Sequence, residues 1–332
     1  MKRKRLRVER LEDRHLLSAI ELVEVGRISR DDFTRPTEGS AFGSSIAEVG
    51  DIDGNGVNDL AVGAPGDGDQ ESPGWVTVLF MNDDRRVERT HIINNRLNGF
   101  TDSLTDQSRF GSSVAPAGDL NGDGVPDLLV GADGQGGRGA VWLVMLNRTG
   151  RVIQHSRIDL GAAPLVGQLA SGSRFGASIV SLGDLDGDGI SELAVGAPGD
   201  PKNGKDAGAV WVLYLDQQHS VRNAVRLEGD ASERFGASLA ATDLDENGNP
   251  NLLVGRPGHQ DGRGGLWVLE LGNSAEVIAS STIPAPNNAT GFGEAISVVN
   301  TGDGTHQIAV GAPQTSSVGP TTSGCAVAPA TN

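Results

Sequence analysis

The sequence predicts an all-β protein built from small antiparallel sheets, and three observations support that prediction. Glycine supplies 48 of the 332 residues, about twice its usual ~7% share, and it follows no collagen period. The apolar runs are short, rich in Val, Leu and Trp, and bounded by Gly, Pro, Asn or Asp, which is typical of strands joined by turns. One unit of sequence also recurs five times, and this indicates a repeat architecture.

The repeated unit begins with Phe-Gly and reaches a triplet close to Gly-Ala-Pro about twenty residues later. The five units begin at Phe42, Phe110, Phe175, Phe235 and Phe292. The glycines that open the triplets are Gly63, Gly131, Gly196, Gly255 and Gly311. Between the two motifs lie a loop rich in Asp, Asn and Gly and a short apolar run, so each unit starts with two strands joined by a tight loop.

Two further runs complete each unit. A third, apolar run occupies residues 75–80, 140–146, 209–215 and 266–271, and a more polar fourth run occupies 86–93, 151–160, 221–227 and 276–283. The polar run is expected at the exposed outer edge of its sheet. Four-stranded antiparallel sheets repeated around an axis form a β-propeller, and the sequence therefore predicts an all-β propeller.

The strand count predicts how the chain begins and ends. Residues 19–28 have the character of an extra fourth strand, whereas the fifth unit ends with a weak third strand near 324–329. If the N-terminal strand completes the last blade, residues 19–332 form a propeller of five blades, preceded by a basic segment at 1–18. The alternative is an incomplete propeller belonging to a longer gene product.

The loops between the first two strands predict metal sites. Each of the first three units carries a nine-residue loop with oxygen-bearing side chains at positions 1, 3, 5 and 9 and Gly at position 6. Ca²⁺ binds six to eight oxygens, and the backbone carbonyl of position 7 would add one. The predicted ligands are Asp51, Asp53, Asn55, Val57 and Asp59 in loop 1, Asp119, Asn121, Asp123, Val125 and Asp127 in loop 2, and Asp184, Asp186, Asp188, Ile190 and Glu192 in loop 3.

The five loops differ in the number of carboxylates at the ligand positions. Loop 3 has four and is expected to bind calcium most tightly, while the fifth loop retains chiefly Asp303 and is expected to bind none. A fourth site is possible on this reasoning, at Asp243, Asp245, Asn247, Asn249 and Asn251 in loop 4. An EF-hand is excluded because it needs Glu at position 12 and flanking helices. The alternative reading is that Asp, Asn and Gly merely favour tight turns.

These motifs together resemble a known repeat. Phe-Gly, a D-x-D/N-x-D/N-G-x-x-D loop and Gly-Ala-Pro are similar to the FG-GAP repeat of integrin α subunits and related bacterial proteins, over roughly residues 20–315. The resemblance implies the propeller fold, calcium loops on the blade hairpins and a role in adhesion or ligand binding. Asp133 in the second triplet and Arg256 in the fourth depart from the motif, and the integrin propeller has more blades.

The N-terminus and the composition suggest a compartment. Residues 10–18 resemble the LEPR-x-LL-type motif of exported planctomycete proteins, with Asp13 in place of Pro, and this resemblance implies export. A disordered basic tail is the alternative.

The composition excludes several other classes of protein. The net charge of −16 disfavours a nucleic-acid partner. No apolar run reaches the ~18 residues of a membrane span, and the single cysteine, Cys325, excludes an internal disulfide framework.

The sequence therefore predicts an extracellular or cell-surface calcium-binding module that binds a protein or polysaccharide and is not an enzyme. Neither H-E-x-x-H nor G-x-S-x-G occurs, so two common hydrolase motifs are missing. The alternatives are a structural repeat protein of a surface layer and a calcium-dependent polysaccharide-active enzyme. Lys, Arg or His side chains converging at one face would favour the enzyme.

Overall fold

The computed structural model describes residues 9–10, 40–66, 73–95, 98–159, 161–244, 247–287, 289–300, 306–313 and 324–329. The chain divides into two compact units. One unit consists of Glu24–Ser181 and Leu215–Ala224; the other consists of Met1–Val23, Leu182–Tyr214 and Val225–Asn332.

The strands of the described residues form five four-stranded sheets, and all but one strand follow in chain order. The exception is β1 (Glu9–Arg10), which belongs to the fifth sheet. The first sheet contains β2 (Ser45–Gly50), β3 (Asp59–Ala64), β4 (Trp75–Met81) and β5 (Val87–Ile93), and the second contains β6 (Phe110–Gly118), β7 (Asp127–Ala132), β8 (Ala140–Leu146) and β9 (Val152–Ile158). The third contains β10 (Ser178–Gly183), β11 (Glu192–Ala197), β12 (Ala209–Leu215) and β13 (Val221–Glu228).

The remaining sheets lie further along the chain. The fourth contains β14 (Leu239–Thr242), β15 (Asn251–Gly255), β16 (Gly265–Leu271) and β17 (Val277–Pro284), and the fifth contains β18 (Ala295–Asn300), β19 (His306–Ala312) and β20 (Gly324–Pro329) with β1 at its edge. The described helical segments are single turns: 3-10 turns at Gln135–Gly137 and Ala163–Leu165, and α1 (His259–Gly262).

The predicted all-β class and the four-strand unit are confirmed. The weak third strand predicted near 324–329 is β20, which pairs with β19. The fourth strand of that sheet is β1, which pairs through Glu9 and Arg10 with Val327 and Ala326, whereas the strand predicted at 19–28 lies outside the described residues. The closure of the sheets into a five-bladed ring and the division at residue 18 stay predictions.

The burial of each strand follows its composition. All seven residues of β8 are buried, as are all seven of β12, and these are the most apolar runs. In the end strand β9 only the terminal residues Val152 and Ile158 are buried, because the residues between them are mostly polar. In one core cluster the Phe110 ring lies 5.1 Å from that of Phe100 and 5.6 Å from that of Trp142, so the Phe-Gly phenylalanine is a central packing residue of its repeat.

Successive repeats meet at a contact that we call the repeat joint. A Cβ atom on Gly131 would lie 2.0 Å from the carbonyl oxygen of Gly176, the glycine of the next Phe-Gly. The Ser113 hydroxyl donates to that same oxygen at 2.8 Å. Equivalent joints are Gly63, Gly111 and Ser45 (2.9 Å) and Gly255, Gly293 and Ser238 (2.7 Å). The triplet glycine is therefore required because the next repeat's backbone takes the space of a side chain.

The fifth repeat differs at this point. Ala295 stands where the earlier repeats have the joint serine. Among the described residues, the atom nearest to a Cβ on Gly311 would be the Ala295 methyl carbon at 3.3 Å. Within that part of the chain, Gly311 therefore shares the motif position of Gly131 without the crowding of a neighbouring carbonyl.

Both departures from Gly-Ala-Pro form ion pairs. Asp133, which is 3% exposed, lies 3.2 Å from Arg109 and 2.8 Å from Arg174, the residues before two successive Phe-Gly motifs. Arg256 lies 3.1 Å from Glu233, and both side chains are buried. Each substitution is therefore balanced by an opposite charge, as a buried charge requires.

The joint predicts different costs for the same substitution at two glycines. Gly131→Ala should lower the free energy of unfolding by about 2 to 3 kcal/mol, because the methyl group meets backbone that cannot rotate away. Gly311→Ala should cost less than about 1 kcal/mol. Urea denaturation of both variants checks this, and equal losses at the two positions would contradict the joint as the cause.

Candidate metal centre

The loops between the first and second strands are organised around the aspartate at position 1. In loop 2 the Asp119 carboxylate accepts the backbone N–H groups of Gly122 (2.8 Å), Asp123 (3.1 Å) and Gly124 (2.8 Å). Asp51 and Asp184 accept the equivalent three N–H groups in loops 1 and 3. The residues at position 1 therefore fold the loop as well as adding negative charge to it.

The side chain at position 5 adds a second local hydrogen bond. Its oxygen accepts the backbone N–H of position 7, from Val57 to Asn55 at 2.8 Å and from Val125 to Asp123 at 2.9 Å. The corresponding distance from Ile190 to Asp188 is 2.8 Å. Position 6 is glycine with φ of 91°, 79° and 88° in the three loops, a conformation that glycine adopts without strain.

The acid at position 9 is buried and ties the loop to its sheet. Asp127 is fully buried and accepts the N–H of Leu120 at 2.8 Å and that of Leu146, at the end of the third strand, at 2.8 Å. Asp59 accepts from Ile52 and Met81 in the same way. This tethering role was not predicted, although a signal for it was present, since the acid opens a strand whose other residues are apolar.

Burial has an electrostatic consequence at position 9. It raises the pKa of Asp127 to about 6, and the negative charges of Asp123 and Asp119 add to the effect. The pKa values of Asp59 and Glu192 are raised for the same first reason, burial, with neighbouring aspartates contributing. The loops thus hold carboxylates whose negative charges oppose one another, and a bound cation would offset that repulsion.

Three carboxylates converge in two of the loops. Asp51, Asp53 and Asp59 each place an oxygen within 4.8 Å of the others in loop 1, as do Asp184, Asp186 and Asp188 in loop 3. They are the two clusters of three acidic side chains found among the described residues. An all-oxygen set of this kind suits a hard cation such as Ca²⁺ and does not suit zinc, which prefers nitrogen and sulfur.

Loop 2 is arranged differently from these clusters. The Asn121 side-chain amide donates to the Asp123 carboxylate at 3.1 Å, so one oxygen of that carboxylate is engaged within the loop. Asp119, Asp123 and Asp127 therefore share a loop with a similar backbone path but are not drawn into a cluster as tight as that of loop 3. The contribution of the Val57, Val125 and Ile190 carbonyls stays a prediction.

An arginine side chain lies beside the carboxylates of loop 1. The Arg89 guanidinium lies 3.3 Å from the Asp53 carboxylate and 3.2 Å from the centre of the Phe80 ring. It also donates to the carbonyl oxygens of Arg148 and Thr149, so several contacts hold it in place. Part of the negative charge of loop 1 is thereby balanced, which supports the expectation that loop 3 binds calcium more tightly.

Loop 4 keeps hydrogen bonds that fold the other loops but has fewer acidic side chains. Asp243 accepts from Asn247 and Gly248, and Asn247 accepts from Asn249 at 2.7 Å. Asn251 takes the place of the buried acid and accepts from Leu244 at 2.8 Å. Asp245, a predicted ligand, lies outside the described residues, so the fourth site stays a prediction.

An open cleft of about 670 Å³ lies beside strand β9. Its polar lining includes Asp102, His155, Arg157, Asp159 and His219. The Arg157 guanidinium lies 2.9 Å from Asp159 and 3.4 Å from Asp102. Because its charge is already balanced by two carboxylates, this arginine is poorly placed to bind a substrate carboxylate.

Comparison with known proteins agrees with the repeated motifs. The family model named "FG-GAP repeat" matches residues 42–79, 110–144 and 175–213. Three stretches of the chain are thus similar to the FG-GAP repeat. The fourth and fifth units lie outside these matches, but the joint of Gly255, Ser238 and Gly293 shows that the repeat contact extends to them.

The curated relatives support the resemblance to integrin α chains. Human integrin alpha-IIb is 34% identical over 232 residues, which are 65% of this chain and 20% of the integrin. Integrin alpha-V of Gallus gallus is 33% identical over 238 residues, 67% of this chain and 21% of the integrin. A phosphatidylinositol-glycan-specific phospholipase D of Bos taurus is 29% identical over 229 residues, 64% of this chain and 26% of that protein. The chain thus spans about a fifth to a quarter of the length of these relatives.

Helices that could cross a membrane are not found among the described residues.

The hydrogen bonds at position 1 give a prediction that does not depend on metal. In the presence of chelator, Asp119→Ala should lower the free energy of unfolding by about 1 to 2 kcal/mol, because the N–H groups of Gly122 and Gly124 lose their acceptor and that of Asp123 keeps only Asn121. Asn121→Ala is the matched control, since that side chain accepts a single backbone N–H in the same loop. Similar losses for both variants, measured by urea denaturation, would show that Asp119 does not organise the loop.

Proposed function

We propose that residues 19–332 form an extracellular or cell-surface calcium-binding β-propeller that acts as an adhesion or ligand-interaction module, with residues 1–18 serving in export. The observation that carries this proposal is the convergence of carboxylates in hairpin loops of one design, above all Asp184, Asp186 and Asp188 within 4.8 Å. The FG-GAP repeats and the integrin α relatives support it.

The metal proposal assigns specific donors. In loop 3 the ion would be held by the side chains of Asp184, Asp186, Asp188 and Glu192 and by the Ile190 carbonyl. Calcium would supply positive charge where burial and neighbouring negative charges both disfavour ionised carboxylates, and it would cross-link the two ends of the loop. The equivalent residues of loops 1 and 2 would hold two more ions, and loop 4 is the possible fourth site.

The acidic loops favour the interaction role, whereas an enzymatic role would rest on the cleft lined by His155, Arg157 and His219. The acidic side chains of loops 1 to 3 fold their loops and converge as oxygen donors, while Arg157 in the cleft is paired with Asp102 and Asp159. The relative with an enzyme's name shares 26% of its length with this chain. We propose an extracellular protein or polysaccharide as the partner and, since the net charge is −16, not a nucleic acid.

A calcium titration of thermal stability tests the proposal. The full chain would be stripped with chelator and unfolded by heat at increasing calcium, with magnesium as the comparison ion. Three sites with a Kd of ~1 mM would together add about 4 kcal/mol in ~10 mM calcium, so the midpoint should rise and then saturate. No shift in a folded protein would mean that the loops are only turns, and it would remove the basis for calcium-dependent adhesion.

A pair of variants separates metal binding from loop folding. Asp188→Asn keeps an oxygen for the Ile190 N–H but removes one charge, so it should leave the midpoint in chelator unchanged and reduce the calcium-dependent rise by about a third. Asp106→Asn is the matched control, because Asp106 is exposed and lies outside the four loops. If Asp106→Asn reduced the rise equally, a general charge effect would replace the assigned site.

A further inference from the structure

The arginine beside loop 1 contacts a carboxylate that the calcium proposal also uses. The Arg89 guanidinium lies 3.3 Å from one oxygen of the Asp53 carboxylate. The other oxygen of that carboxylate accepts the Asn55 N–H at 3.3 Å. Asp53 is also one of the three acids whose oxygens converge within 4.8 Å in loop 1. A cation of the protein and a metal ion would therefore use the same carboxylate.

Contacts outside the loop hold this arginine in place. Its guanidinium lies 3.2 Å from the centre of the Phe80 ring. It also donates to the carbonyl oxygens of Arg148 (3.1 Å) and Thr149 (3.2 Å), in the turn between β8 and β9. Because none of these contacts involves the carboxylate, they keep the positive charge beside loop 1 when Asp53 binds another cation.

The second, third and fourth repeats have a neutral residue at this position. Arg89 is the third residue after Arg86, whose carbonyl closes the turn between β4 and β5 by accepting the Asn82 N–H. The carbonyls that close the corresponding turns belong to Arg151, Ser220 and Glu276. The residues three positions after these are Gln154, Asn223 and Ala279. Loop 3, which has the other converging cluster, therefore has an uncharged side chain at the position from which Arg89 reaches loop 1.

Arginine and calcium repel each other when they bind one carboxylate. Ca²⁺ binds its oxygens at about 2.3 to 2.6 Å, and Arg89 lies 3.3 Å from the Asp53 carboxylate, so both positive charges would stand at the same group. Like charges at such short range repel, and protein screens them less than bulk water does. The binding of calcium to Asp53 therefore includes the cost of weakening the contact with Arg89.

We propose that Arg89 competes with calcium for Asp53, so that loop 1 takes up calcium at a higher concentration than loop 3. This inference rests on the proposed calcium function and assigns a residue that regulates one of its sites. Without calcium the guanidinium supplies positive charge to the carboxylates of loop 1. The chain then responds to calcium in order, with loop 3 filling before loop 1.

A calcium titration of the full chain, followed loop by loop with heteronuclear NMR, tests the competition. The amide signals of Gly56 and Gly189 report on loops 1 and 3, because these N–H groups donate to Asp51 and Asp184. In the wild-type chain the Gly189 signal should respond at lower calcium than the Gly56 signal. Arg89→Gln should lower the Kd of loop 1 about two- to fivefold, as expected for the loss of a partly exposed ion pair, and should leave loop 3 unchanged.

Two further variants show whether the effect belongs to this position. Arg263→Gln makes the same charge change at an exposed arginine of the fourth repeat and should leave both loops unchanged. Asn223→Arg places an arginine at the equivalent position of the third repeat and should raise the Kd of loop 3 about two- to fivefold. An unchanged loop 1 in Arg89→Gln, equal tightening by Arg263→Gln, or an unchanged loop 3 in Asn223→Arg would each overturn the competition.

The same titration separates this inference from the proposed function. If neither glycine signal of the folded chain responds to calcium, the calcium proposal fails and the competition fails with it. If both respond and Arg89→Gln has no effect, calcium binding stands and only the competition is wrong.

Thermal unfolding supplies a readout that starts from the metal-free protein. Arg89→Gln should lower the unfolding midpoint in chelator, because the contacts with Asp53, Phe80 and the two carbonyl oxygens are lost. The loss should be smaller in saturating calcium, since a ligand that binds the variant more tightly stabilises it more. Equal losses in chelator and in calcium would contradict the competition.

Discussion

The structure depends on the close approach of the triplet glycines of the first, second and fourth repeats to the backbone of the repeat that follows. A side chain at Gly63, Gly131 or Gly255 would occupy the position of a carbonyl oxygen of the next Phe-Gly motif. The joint serine then donates to that oxygen, so the carbonyl keeps a hydrogen bond in a buried contact. This one contact explains why glycine, serine and Phe-Gly recur together in the sequence.

The joint also accounts for the separation of scaffold from loops. It lies at the end of the second strand that faces away from the Asp-rich hairpin, so the hairpin is not needed to attach one repeat to the next. The hairpins are held instead by local contacts, from the position 1 aspartate to three backbone N–H groups and from the buried acid to the third strand. Residues that fold the loop also bring its carboxylates together, so the turn interpretation and the proposed metal role are compatible.

Much of the fold was predictable because its signals are local and repeated. Five copies of a unit fix the strand order, and apolar runs bounded by glycine predicted strands such as Ala140–Leu146 at their observed bounds. Contacts between distant residues were not predictable. Nothing near Ser113 indicates that its hydroxyl reaches Gly176, and nothing near Arg89 places its guanidinium beside Asp53.

For the Asp-rich loops, the sequence predicted the types of the residues better than their arrangement in space. The spacing of Asp184, Asp186 and Asp188 was sufficient to predict their convergence, because alternate residues of a tight loop point to one side. The burial of Asp127 was not evident, since an acid at the start of a strand resembles a surface residue in sequence. The edge pairing of the fifth sheet by Glu9 and Arg10 also went unrecognised, because two residues carry no strand pattern.

The most direct test of the account is the number of calcium ions bound by the full chain, measured by equilibrium dialysis with elemental analysis. The account predicts three ions per chain, one for each of loops 1 to 3, with one ion lost when Asp184 is replaced by Ala. A folded chain that binds no calcium above the level of a charge-matched control protein would contradict it.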